Sequence, residues 1–171
     1  MTIFELLLRS VAVGVVATMA FDLWAVILQR ALGVPAPDWS LLGRWIGHIP
    51  EGKIMHDNIR QSAPFRHEQG LGWLTHYVVG TFFAAILLIA AGAGWARHPT
   101  LLPAVAAGLG TIVFVWFILM PAFGQGIAMM KNPAANRIRV INIVSHLVLG
   151  VGFYVGAQMV NQLIAIFGSG S

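Results

Sequence analysis

Three ionisable side chains stand inside stretches that are otherwise lipid-phase sequence: Asp22 in VATMAFDLWAV, His76 in GWLTHYVVGTF and His146 in NIVSHLVLGVG. A charged side chain near the centre of a bilayer costs about 2.5–3.5 kcal/mol on insertion scales, so an intramembrane carboxylate needs a partner or a purpose. One carboxylate and two imidazoles are a donor set suited to a divalent transition metal. The same groups suit a proton relay, because histidine titrates near neutrality. Gln125 and Asn142, near helix ends, could assist such a site. His76 and His146 could alternatively supply both axial ligands of a b-type haem, with Gly80 and Gly150 one turn on leaving room for a flat macrocycle. Asp22 has no part in that arrangement. The plainer reading is that each of the three bonds across a helix interface.

The elements that must position them are membrane helices. Of the 171 residues, 58% are hydrophobic and 9% charged, with a mean hydropathy of +0.80, where a soluble domain carries about 25% charged residues. A span takes about 20 apolar residues, and four stretches qualify: residues 3–31, 71–96, 101–123 and 138–167. The expected fold is an all-α integral membrane four-helix bundle in one transmembrane domain, residues 1–167. The terminal 168–171, Gly-Ser-Gly-Ser, reads as a linker or cloning scar. The first stretch lacks a basic n-region and a small-residue cleavage site, so a retained helix is expected over a cleaved signal. With no cysteine, disulfides, thiolate metal sites and Cys nucleophiles drop out.

Basic residues divide unevenly between the two sides of such a bundle. Arg30, Arg44, Lys53, Arg60, Arg66, Lys131, Arg137 and Arg139 share one side, and Arg9 and Arg97 the other. The positive-inside rule then places both large loops in the cytoplasm and both termini outward. The net charge of +4 serves orientation and does not point to nucleic acid. At 1.5 Å per residue, Asp22 and His146 lie roughly 12–14 Å from the cytoplasmic helix ends and His76 roughly 6–8 Å, so one cluster in that half of the bundle is expected.

The first loop is too long for a mere connection. In Trp39–Ile49, residues Leu42, Trp45, Ile46 and Ile49 share a helical face while Ser40, Arg44, Gly47 and His48 fall away from it. This fits an amphipathic helix in the interface, with Trp39 and Trp45 at headgroup depth, or a lid over the bundle mouth. His48, His56 and His67 in this loop match no metal spacing.

The second and fourth spans share the pattern [ST]-H-x-V-x-G-x-x-F, at Thr75–Phe83 and Ser145–Phe153, and the first and third align more weakly, Thr18 on Thr111 and Asp22 on Val115. A duplicated helical hairpin follows as an expectation. Stripes of small and polar residues accompany it: Ser10, Gly14, Thr18 and Asp22 on the first helix, Gly72, His76 and Gly80 on the second, and Asn142, His146 and Gly150 on the fourth. They suit close helix packing and permit a homodimer or a membrane partner protein.

The runs Ala17–Trp24, Gly43–His48, Leu71–Tyr77 and Pro99–Pro103, with Ser145-His146, resemble the bacterial membrane family known as domain of unknown function 2938. The resemblance spans about residues 9 to 160. It implies a small bacterial inner-membrane protein and carries over no activity, cofactor or catalytic residue. On function the expectation is a non-catalytic subunit, assembly factor or lipid-interacting module in contact with the bilayer. Ion or proton handling at Asp22, His76 and His146 is the first alternative, and a bis-histidine haem protein the second. An enzyme is the lesser expectation, since no Ser or Cys nucleophile motif is present.

Overall fold

A computed structural model describes residues 1–168; Ser169–Ser171, most of the expected terminal linker, lie outside the described residues. Among these, helices and their connections make up the chain: α1 Ile3–Leu32, α2 Trp39–His48, α3 Glu68–Arg97, α4 Leu101–Phe114, a π turn Val115–Leu119, α5 Met120–Ala122 and α6 Ala135–Gly168. α1, α3, α6 and the continuous stretch Leu101–Ala122 are the four helices long and apolar enough to cross a membrane. They coincide with the expected spans to within three residues at each end. α1 begins where the Thr2 side chain accepts from the Glu5 amide at 3.1 Å and ends at Gly33, whose φ of 62° lets the chain turn out of the helix. Gly92, at φ 79°, interrupts α3 near its end.

α1 packs between α3 and α6, and α4 packs on α6. Small residues set these contacts. A Cβ on Gly14 would strike the backbone of Thr81, one on Gly108 would strike Gly150, and one on Gly152 would strike Ala17. Helices associating in lipid gain from such approach because no hydrophobic effect draws them together there. The half of the bundle remote from the long loops is filled by Val13, Ala17, Ala84, Leu88, Phe153 and Ala157, among others. At that end Arg9 is buried. It donates to Glu5 at 2.9 Å, to Asn161 Oδ1 at 2.8 Å and to the Ala96 carbonyl at 3.2 Å, while Asn161 Nδ2 bonds the Ala96 and Arg97 carbonyls at 2.9 and 3.0 Å. Arg9 therefore joins α1, α3 and α6, a role its position as an orienting charge did not suggest.

The loop half is built differently. α2 lies against the start of α3 with backbones in contact, since a Cβ on Gly43 would meet the Glu68 carbonyl and one on Gly72 the Trp39 carbonyl. Asp38 caps α2 through the Ser40 amide. Leu41, Leu42 and Trp45 join Ile59, Ala122 and Phe123 in a second apolar cluster. Arg44 and His48, expected to fall away from the packed face, are buried. So is Trp45, expected at headgroup depth, whose Nε1 donates to the Ile54 carbonyl at 2.8 Å. The cause is the remainder of the loop, which folds back over the polar side of α2. Arg44 holds it there: its guanidinium grips both Glu68 oxygens at 2.8 and 2.7 Å and donates to the carbonyls of Ile59, Arg60 and Ser62 at 3.1–3.3 Å. The Glu68 carboxylate, first among the causes, holds the Arg44 pKa above its ordinary value.

His48 and His56 stack and share a hydrogen bond of 2.9 Å. His48 Nε2 donates to the Ala63 carbonyl at 3.1 Å, so with both rings neutral His48 Nδ1 accepts the proton of His56 Nε2. His56 Nδ1 is then buried without a hydrogen bond among the described residues. Burial, reinforced by His48 and Lys53 and opposed by the Ala122 carbonyl, holds the His56 pKa below 6.5.

Two outcomes follow. Breaking a buried ion pair from one side costs about 3–5 kcal/mol, so Arg44→Ala should lower thermal stability in detergent and expose residues 49–67 to protease, and the double change Arg44→Met with Glu68→Leu should recover much of the loss. With the folded pKa of His56 below its unfolded value, the unfolded loop binds more protons below about pH 6.5. The stability contributed by His56 is complete above that pH and is lost as pH falls through 6.5 toward the folded pKa. The protection factors of the His56 and Ile59 amides, corrected for intrinsic exchange, should fall over that window, and His56→Gln should flatten the dependence.

Candidate functional site

Between the filled half of the bundle and the α2 cluster lies a cavity of about 810 Å³. Its walls are α1, α3, α4, the π turn and α6, and α2 roofs it. Phe83, Thr111 and Leu149 are the deepest residues, and Asp38, Arg60, Asn132 and Arg137 stand at the loop end. Most of the lining is apolar, with Leu41, Leu42, Leu119, Phe123 and Ile141 as examples. The π turn adds one residue to the helix beside this space and turns Val115 and Leu119 into it; such turns recur at functional sites.

His76, on the cavity wall, donates from Nε2 to Asp22 Oδ1 at 3.0 Å, and the Tyr77 hydroxyl donates to Asp22 Oδ2 at 3.0 Å. Both carboxylate oxygens are thereby engaged, and the intramembrane charge has two partners from α3. Trp39, the first residue of α2, stacks on the His76 ring with centroids 3.7 Å apart and planes 21° apart. The roof thus rests directly on the imidazole.

His146 belongs to a different arrangement. Its Nδ1 lies 2.6 Å from Thr111 Oγ1, and that hydroxyl donates to the Gly108 carbonyl at 2.6 Å. A hydroxyl has one proton, so His146 Nδ1 carries its own and donates it to Thr111. Phe21 stands against both imidazoles, edge to face, with centroids 5.8 Å from His76 and 5.7 Å from His146. The set of Asp22, His76 and His146 therefore divides into a pair and a remote imidazole. Among the described residues no three His, Asp or Glu side chains gather to hold a metal ion.

Asn142 accepts from Trp116 Nε1 at 3.2 Å, across α6 and the π turn. Gln125 lines the cavity, and its carbonyl receives the Lys131 amide at 3.1 Å. Of the loop histidines, His48 and His56 pair in the roof, outside the cavity lining. Sequence reasoning singled out Asp22 and His76 and missed Tyr77, Trp39, Phe21 and Thr111 as their neighbours. Tyr77 had a signal, being a hydroxyl adjacent to a membrane histidine; Trp39 had none, because its contact depends on where the loop folds.

Taken together, these features describe a multi-pass helical membrane protein with a cavity among its helices, lined by the His76 member of an oriented Asp–His–Tyr cluster. The chain belongs to the family described as Protein of unknown function (DUF2938), whose model matches residues 11–160. No curated protein and no solved structure matches it.

Side-chain hydrogen bonds between membrane helices average about 0.6 kcal/mol and reach about 1.7. Tyr77→Phe should therefore destabilise the bundle by about 1 kcal/mol. In the Asp22→Asn background the same change should cost measurably less, a coupling readable from unfolding in mixed micelles.

Proposed function

We propose that this protein is a non-catalytic module of the bacterial inner membrane that holds a lipid-like molecule within its bundle. The observation that carries this reading is the cavity: about 810 Å³, within the range of about 300–1,000 Å³ typical of small-molecule sites, with an apolar lining and a few convergent polar groups. A polar or ionic cargo has little to recommend it, since Asp22 already accepts two hydrogen bonds and the surrounding wall is apolar. An alkyl chain matches that wall.

Orientation and history fit the same reading. The predominance of Lys and Arg at the loop end supports a cytoplasmic roof. Each repeat-related histidine turns to the membrane span preceding its own, His76 to α1 and His146 to the span that begins with α4, which supports descent from a duplicated hairpin whose second copy lost the carboxylate.

Replacing Val79, which lines the cavity, with Trp tests the reading directly. The wild-type protein in nanodiscs should bind a fluorescent long-chain probe saturably, and native mass spectrometry should detect a co-purifying lipid-range mass. Val79→Trp should weaken probe binding at least about tenfold, a loss of about 1.4 kcal/mol, with the melting temperature little changed. Equal binding by a well-folded Val79→Trp protein would sink the proposal.

A further inference from the structure

The two histidines have their proton positions fixed by their partners, and this determines what each offers the cavity. His76 spends its Nε2 proton on Asp22. In the neutral ring Nδ1 is then a bare acceptor, and it has no hydrogen bond among the described residues although His76 lines the cavity. His146 spends its Nδ1 proton on Thr111, whose own proton is committed to Gly108. Its Nε2 is likewise a bare acceptor without a partner among the described residues, and His146 also lines the cavity. Neither nitrogen is sealed in the way that Thr18 Oγ1 is, so both remain within reach of a small polar group.

The same cavity also offers hydroxyl donors. Thr75 and Ser145 precede the two histidines, line the same cavity, and make no side-chain hydrogen bond among the described residues. A ligand head that complements this set must donate to an imidazole nitrogen and accept from a hydroxyl. A carboxylate or a phosphodiester anion has no proton to donate. An ammonium cannot accept from a hydroxyl, and it would be desolvated among apolar side chains. At the loop end Arg60 is paired with Asp38 at 3.5 Å, and Arg137 adds a positive charge that disfavours a cation. A neutral hydroxyl does both.

We infer that the molecule held in the cavity is a long-chain amphipath whose head bears a neutral hydroxyl, received by His76 Nδ1 or His146 Nε2 together with Thr75 or Ser145. This rests on the lipid-binding reading above and gives that ligand its head chemistry. Asp22 and Thr111 act as positioning residues, each fixing a tautomer so that a lone pair faces the cavity.

The probes are hexadecan-1-ol and hexadecyl methyl ether, which share a chain and differ in the hydroxyl proton. Each competes with a fluorescent alkyl probe for the full-length protein in nanodiscs. The alcohol should displace the probe at about tenfold lower concentration than the ether, and the double variant His76→Phe/His146→Phe should lose that preference and bind the two alike. Each single variant, with unfolding monitored in parallel, reports which imidazole carries the preference. If the wild-type protein binds alcohol and ether equally, the hydroxyl inference fails while the lipid-binding reading stands. Should neither compound displace the probe, both fail. A preference that persists in the folded double variant would overturn the assignment to the histidines.

Discussion

The guanidinium of Arg44 is the interaction on which the loop half depends. Nothing in a bilayer compels a 35-residue stretch between α1 and α3 to fold over the bundle. Its backbone carbonyls would otherwise satisfy themselves with water. Arg44 collects three of them, at Ile59, Arg60 and Ser62, and closes on Glu68 at the start of α3. This single side chain fixes α2 against α3, and with it Trp39 over His76 and Leu41, Leu42 and Trp45 over the cavity. Desolvating such a pair is expensive and is offset only because nearly every donor finds an acceptor. The arrangement favours one roof geometry over the many a flexible loop would adopt.

The four spans were legible in the sequence because hydropathy over 20 residues is a strong, local signal. Asp22 and His76 stood out for the same reason, as costly residues in cheap surroundings. What the sequence withheld was pairing across the bundle. Helical depth placed His146 level with Asp22, but depth leaves the angle around the bundle open, and His146 bonds Thr111 on α4 instead. Arg9 and Arg44 illustrate the same limit. Both counted as surface charges in the orientation argument, and both are buried at the centre of hydrogen-bond networks. A basic residue at a helix end and one that organises a loop look identical until the chain around them is placed.

The two halves of the bundle divide their labour. Away from the loops, glycine and alanine bring helix backbones together and Arg9 ties three helix ends. Toward the loops the same helices diverge around apolar side chains and a set of hydroxyls and imidazoles. Gly80 marks the boundary: a Cβ there would collide with Thr18 Oγ1, while Gly80 and Thr18 both also touch the cavity. Rigidity at one end lets the other remain hollow without the helices collapsing inward.

The π turn at Val115–Leu119 gives that hollow a peculiar dependence on chain length. An α-helix rotates by about 100° per residue, and the turn absorbs one extra residue within an otherwise continuous helix. Everything after it, including Met120, Phe123 and the segment that receives the His56 and Ile59 amides at Ala122 and Phe123, is aimed by that surplus. A sequence one residue shorter here would keep its hydropathy and its span, yet would turn the wall of the cavity outward to the lipid and leave the loop with nothing to dock against. In this protein the count of residues in one helix, as much as their identity, shapes the cavity.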